Sequence, residues 1–157
     1  MSRISVRSES MFPLSLDGLW QLLHAHVDER RLGEIHPRFL GGRVIREGPG
    51  IEYQGRSFPR EKVAERTIRV GGRSQKTTWI YRIEPPIRYD YEFTFPNGSV
   101  MKFENRYSAA GEETLVKTAA EISLKRVPSF VARSLVNRSL DQSDREDLDF
   151  AKRLNLR

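Results

Sequence analysis

Residues 87–95 read Ile-Arg-Tyr-Asp-Tyr-Glu-Phe-Thr-Phe, with a large apolar or aromatic side chain at every odd position and a polar one at every even position. Alternation of period two belongs to a β-strand with one face buried and the other wet. Neighbouring runs repeat it, so this strand decides which side chains line the inside of a sheet. Turn signals at Gly48-Pro49-Gly50, Gly71-Gly72, Glu84-Pro85-Pro86, Pro96-Asn97-Gly98 and residues 109–112 divide the run. The spacing predicts strands near 42–47, 60–70, 73–83, 87–95, 99–107 and 114–124. Within 48–59, Ile51, Tyr53 and Phe58 fit either a further hairpin or a loop.

Ahead of these strands, Ile4, Val6 and Ser8 alternate with Arg7 and Glu9, which predicts a strand over 3–11 ended by Pro13. Ser15 is a suitable N-cap for a short helix whose apolar face is Leu16, Leu19, Trp20 and Leu23. Asp28 can cap a second short helix carrying Leu32 and Ile35, stopped by Pro37. The last thirty residues return to helix. Val127, Phe130, Val131, Ser134 and Leu135 form one face, continued by Leu148, Ala151 and Leu154. Ser143-x-x-Glu146 has the form of a capping box, which leaves open a break and restart near 141.

A slip of one residue turns every side chain of a strand to the opposite face, so turn lengths can be tested against the apolar pattern. A three-residue loop at Pro96-Asn97-Gly98 sets Phe93 by Met101, Tyr91 by Phe103 and Tyr89 by Asn105. A three-residue loop at Glu84-Pro85-Pro86 sets Tyr81 by Tyr89, Trp79 by Tyr91 and Thr77 by Phe93. A two-residue Gly71-Gly72 turn sets Ala64 by Trp79 and Arg66 by Thr77. A four-residue loop over 109–112 sets Val116 by Asn105, Thr118 by Phe103 and Ala120 by Met101. The expected inner face is therefore aromatic at its centre and small at its flanks, with Arg66, Asn105 and the hydroxyls of Tyr81, Tyr89 and Tyr91 as its separate polar members. A mostly apolar surface with a few orienting polar groups suits a small-molecule site. The opposite face, with Arg88, Asp90, Glu92, Lys102, Glu104 and Arg106, reads as a solvated ladder of mixed sign.

The 157 residues fit a single domain spanning 1–157. No apolar run approaches the ~18 residues needed to cross a bilayer, and the start does not resemble a signal peptide, so a soluble cytoplasmic protein is expected. The absence of cysteine from the sequence excludes disulfides, thiolate catalysis and Cys-ligated metal centres. The net charge of +6 raises the question of nucleic acid, yet acids and bases are interleaved without a basic block, so no specific nucleic-acid partner is expected. His24 and His26 stand two apart on a helix and make a poor metal pair, and His36 has no identifiable partner. The acids at 141–149 lack the glycine and spacing of an EF-hand, and no phosphate loop, nucleophile elbow or His-Glu-x-x-His is present. The sequence assigns no metal site, cofactor or catalytic residue.

One strand, two short helices, a meander of about six strands and a long C-terminal helix form the order of the START-like, or helix-grip, superfamily, which includes pollen allergens, polyketide cyclases and coenzyme Q-binding proteins. The chain resembles it along nearly its full length, with local echoes at residues 16–23, at Ile83-Glu84-Pro85-Pro86 before the aromatic strand, and from Asp147-Leu148 to Leu154. The resemblance implies an α+β fold, a curved antiparallel sheet of about seven strands around the last helix with an apolar cavity between them. It carries over no catalytic residue. The expected ligand-binding set is Arg66, Thr77, Trp79, Tyr81, Tyr89, Tyr91, Phe93, Met101, Phe103, Asn105 and Thr118 from the sheet, with Phe130 and Ser134 from the helix. The leading functional expectation is binding or transport of a small hydrophobic molecule such as a lipid, quinone or polyketide-like compound. Its rivals are a cyclase or aromatase, with Arg66, Asn105 and the tyrosines polarising a carbonyl, and a protein or nucleic-acid interaction module.

Overall fold

A computed structural model describes residues 2–157. Strand β1 (Ser2–Phe12) leads into α1 (Leu16–His26) and α2 (Glu29–Ile35). Strands β2 (Phe39–Glu47), β3 (Gly50–Tyr53), β4 (Arg56–Pro59), β5 (Glu61–Val70), β6 (Arg73–Glu84), β7 (Arg88–Thr94), β8 (Val100–Ala110) and β9 (Glu113–Leu124) follow, and α3 (Ser129–Arg153) ends the fold. The main sheet has seven antiparallel strands in the order β1-β9-β8-β7-β6-β5-β2. Segment 48–59 forms its own hairpin, β3 with β4, which turns at Gln54-Gly55 where both residues have positive φ. That hairpin drives Phe58, fully buried, edge-on against Trp20.

Both helix starts follow the expected chemistry. Ser15 Oγ accepts from the Gly18 N–H at 3.1 Å, and Asp28 Oδ1 accepts from the Arg30 N–H at 2.9 Å. Each satisfies a backbone donor that the first helical turn leaves without a partner.

Two of the four registers are as the sequence predicts. Glycines at φ +58° and +78° make the two-residue Gly71-Gly72 turn, which pairs Ala64 with Trp79 and Arg66 with Thr77. Gly98, at φ +86°, closes the Pro96-Asn97-Gly98 loop and pairs Phe93 with Met101, Tyr91 with Phe103 and Tyr89 with Asn105.

The other two are displaced by two residues. The loop between β6 and β7 is Pro85-Pro86-Ile87, closed by Glu84 opposite Arg88, so Trp79 faces Phe93 and Tyr81 faces Tyr91. The β8–β9 turn is Gly111-Glu112, with Ala109 and Ala110 still in the strand, so Asn105 faces Thr118 and Phe103 faces Ala120. A shift of two preserves the pleat's parity, so the inner face keeps its members and exchanges neighbours.

Helix α3 runs unbroken through 141. The expected capping box does not form, because Ser143 Oγ accepts from Arg38 at 2.7 Å and Glu146 pairs with His36 at 2.9 Å. The face of α3 turned inward is also rotated from the expected one. Ala132, Val136, Phe150 and Ala151 are buried, whereas Phe130 is 77% exposed and Ser134 and Leu135 are exposed. Helix α3 meets the sheet chiefly along β1. The reading that favoured the bulkiest apolar residues therefore placed Phe130 and Ser134 on the wrong side.

Candidate functional site

The inner face of β6, β7 and β8 is a stack of rings. Trp79 lies over Phe93 with centroids 4.1 Å apart and planes 13° from parallel, and Tyr91 lies over Phe103 at 5.0 Å and 23°. Offset stacks of this kind are favourable beyond the area they bury. Trp79, Tyr81, Tyr89, Phe93 and Phe103 are buried. Tyr91, Met101, Asn105, Tyr107 and Thr118 point the same way yet keep partial accessibility.

Hydrogen bonding divides these residues further. Thr77 Oγ1 donates to the Arg66 carbonyl at 2.8 Å and accepts from Trp79 Nε1 at 2.6 Å, so both side chains are committed. Asn105 is committed too, donating through Nδ2 to the Tyr89 carbonyl at 3.0 Å and accepting from Thr118 Oγ1 at 2.8 Å. The hydroxyls of Tyr89, Tyr91 and Tyr107 make no hydrogen bond within the described residues. Among the described residues, no enclosed side-chain nitrogen or oxygen lacks a partner. These three oxygens are therefore not fully enclosed by protein atoms. Burial pushes all three phenols well above their usual range. Tyr107 was absent from the expected set, although it continues the odd-numbered row of β8 through 101, 103 and 105.

Arg66 is inward, as the register implied, but it is not free. It is 1% exposed and forks onto Glu29, Nε to Oε2 at 2.9 Å and Nη2 to Oε1 at 2.6 Å. It also donates to the Tyr81 hydroxyl and lies against the rings of Phe39, Trp79 and Tyr81. Lys62, 2% exposed, meets the same Glu29 oxygen at 2.5 Å and donates to the Val27 carbonyl at 2.8 Å. Burial alone would raise the Glu29 carboxyl; the hydrogen bonds and charges of Arg66 and Lys62 outweigh it and hold Glu29 below its ordinary value. A recess of about 110 Å³, bordered by Glu29, Leu32, Phe39, Gly41 and Arg66, opens beside this cluster. Phe130 and Ser134 border a separate open groove of about 570 Å³ lined by α3 alone.

A second polar cluster joins α1, the end of α2 and α3. His26 Nε2 stands 2.9 Å from Asp147 Oδ1, and His36 Nε2 stands 3.1 Å from the same oxygen. His36, which had no visible partner in the sequence, thus has three, since its Nδ1 also meets Glu146 at 2.9 Å and its Nε2 meets His26. Burial acts most strongly on Asp147 and would raise its carboxyl, but the two imidazoles hold it well below the carboxylate range. His26 is likewise penalised by burial and is nonetheless raised, by the charge and hydrogen bond of Asp147. The charge of Asp147 also helps to raise Tyr89, Tyr91 and Tyr107. His24, two residues from His26, points elsewhere and packs edge-on against Phe58.

The outer face is the expected ladder. Asp90 binds Arg106 at 2.6 Å and Arg88 at 2.7 Å, and Lys102 reaches Glu104 at 3.5 Å. No described helix is long and apolar enough to cross a membrane.

No protein-family model matches the sequence, and a comparison with curated proteins finds no significant match. Solved structures do match. Ara h 8.0201 superposes with a TM-score of 0.70 at 14% identity over 96% of this chain and 98% of that one. The Zhui aromatase/cyclase of Streptomyces sp. R1128 gives 0.66 at 16% over 96% and 92%, and a START superfamily protein of Mycobacterium smegmatis gives 0.67 at 14% over 96% and 98%. With its seven-stranded antiparallel sheet, two short helices and long closing helix, the chain has the START-like, helix-grip fold.

Proposed function

We propose that the chain binds a small, largely hydrophobic molecule between the aromatic face of β6, β7 and β8 and helix α3. The observation that carries this reading is the pairing of stacked rings with three inward tyrosine hydroxyls that make no hydrogen bond among the described residues and keep some accessibility. An apolar ring system in a guest would lie along Trp79, Tyr91 and Phe103, and its oxygens would meet Tyr89, Tyr91 and Tyr107. Burying one aromatic ring contributes roughly 1.5–3 kcal/mol, so two or three such rings reach micromolar affinity after the ordering costs. Quinones, polyketide-like aromatics and lipids with a short polar head share this chemistry. Titration with a panel of these compounds, followed by fluorescence of Trp79, tests the reading. Saturable quenching that Tyr91→Ala weakens supports it, and no response to any member counts against it.

The same hydroxyls favour a second reading, a cyclase- or aromatase-type enzyme in which they donate to a carbonyl oxygen as negative charge develops on it. Arg66 has no part in that reading, because Glu29 holds it. Turnover of a poly-β-keto substrate that falls in Tyr91→Phe would support the second reading; binding without turnover leaves the first.

A further inference from the structure

We propose that His26, His36 and Asp147 form a binding site for a divalent first-row transition-metal ion, a role separate from the hydrophobic-ligand reading and not dependent on it. The three candidate ligand atoms make a nearly equilateral triangle: His26 Nε2 to Asp147 Oδ1 2.9 Å, His36 Nε2 to Asp147 Oδ1 3.1 Å, and His26 Nε2 to His36 Nε2 3.1 Å. Ligands about 2.1 Å from a common ion, at right angles to one another, stand about 3.0 Å apart. The triangle therefore matches one face of an octahedron. Two imidazoles and a carboxylate in that facial array leave the opposite face open to water or a guest, a set suited to Fe(II) and its neighbours in the row.

The second layer of contacts fixes the tautomers this needs. Nδ1 of His26 lies 2.9 Å from the Leu22 carbonyl one helical turn back, an acceptor, so Nδ1 carries the proton. Nδ1 of His36 lies 2.9 Å from Glu146 Oε1, again an acceptor. With each ring neutral, both Nε2 atoms present lone pairs toward a third acceptor, the Asp147 carboxylate. Three converging acceptors repel unless something positive sits among them, and the choices are protons or a metal ion. An imidazole whose far nitrogen donates to a carbonyl or carboxylate is the usual arrangement behind a metal ligand. Charge agrees, because Arg38 pairs with Glu146 at 3.5 Å, while the two imidazoles are the ion-pair partners of Asp147 among the described residues. The site joins three elements: His26 ends α1, His36 follows α2, and Asp147 comes from the C-terminal part of α3.

The test uses the full chain, stripped with a chelator and titrated with Co(II), then with Zn(II) and anaerobic Fe(II), by calorimetry and by the visible absorption of bound Co(II). One ion per chain is expected, with the absorption abolished in His36→Gln and in Asp147→Asn, and affinity weakened about 10- to 100-fold in Glu146→Gln. Because a variant can fail to fold, the wild type is also followed by NMR of its histidine rings during Zn(II) addition. The Nε2 resonances of His26 and His36 should move together while those of His24 stay. A folded wild type that takes up none of these ions overturns the proposal. So does uptake that shifts His24 or leaves His26 and His36 unmoved, which would mark adventitious surface binding; in either case the cluster holds protons.

Discussion

Glu29→Gln removes one negative charge from between two buried cations. Arg66 and Lys62 are 1% and 2% exposed, and Glu29 is their shared counter-ion at 2.6 and 2.5 Å. After the substitution Arg66 keeps the Tyr81 hydroxyl and its ring neighbours, and Lys62 keeps the Val27 carbonyl, but neither keeps an opposite charge. Removing one member of a buried pair costs about 3–5 kcal/mol. Glu29 is itself 18% exposed, so water can partly replace it, and the lower end, about 3 kcal/mol, applies. For a chain of this size that corresponds to a fall in Tm of about 6–12 °C. Urea unfolding followed by Trp20 and Trp79 fluorescence measures it directly. The triple replacement Glu29→Leu, Lys62→Met, Arg66→Met should recover most of the loss, since apolar residues of similar volume often replace a buried ion cluster without penalty. A loss below about 1 kcal/mol in Glu29→Gln, within the range of an exposed pair, would refute the reasoning.

The same carboxylate makes stability depend on pH. Its folded pKa lies below its ordinary value, so its contribution is present above pH 4.5 and is lost as pH falls through the folded value; acid unfolding curves of Glu29→Gln should be flatter in that window than those of wild type. Gly42→Ala should destabilise by about 1–3 kcal/mol in the same urea assay, because the added Cβ would stand 2.8 Å from the Glu65 carbonyl and 2.9 Å from Arg66 Cγ and so disturb the Arg66–Glu29 fork. Asp90→Asn weakens two partly exposed pairs on the outer ladder; it should cost stability while leaving affinity for any interior guest unchanged, as ligand titration will show.

The sheet was legible in the sequence because its alternation is strict, and at Gly71-Gly72 and Pro96-Asn97-Gly98 the loop length that keeps the apolar face together is the one that forms, whereas the left-handed Gly111 did not by itself fix the β8–β9 register. Where the turn was marked by prolines or by a run of small residues, its centre was ambiguous by one position, and the register moved by two. The face survived and the neighbours changed: Trp79 met Phe93 in place of Tyr91. On α3, side-chain size misled the phase, since the buried positions are Ala132 and Val136 and the bulky Phe130 faces outward. Arg66 was correctly read as inward, while its partner Glu29, on another element, carried no local signal. The cluster of His26, His36 and Asp147 was invisible for the same reason, being assembled across 121 residues by the packing of α3 over α1 and α2.

The central claim, an interior that receives a guest, is tested most directly by titrating wild type and Tyr91→Ala with a quinone and an aromatic polyketide analogue under identical conditions. Saturable binding to wild type is the expected result, with Tyr91→Ala weaker by roughly 10- to 150-fold because the guest no longer stacks on the Tyr91 ring. Equal affinity in the two proteins, or no binding to a folded wild type, would contradict it.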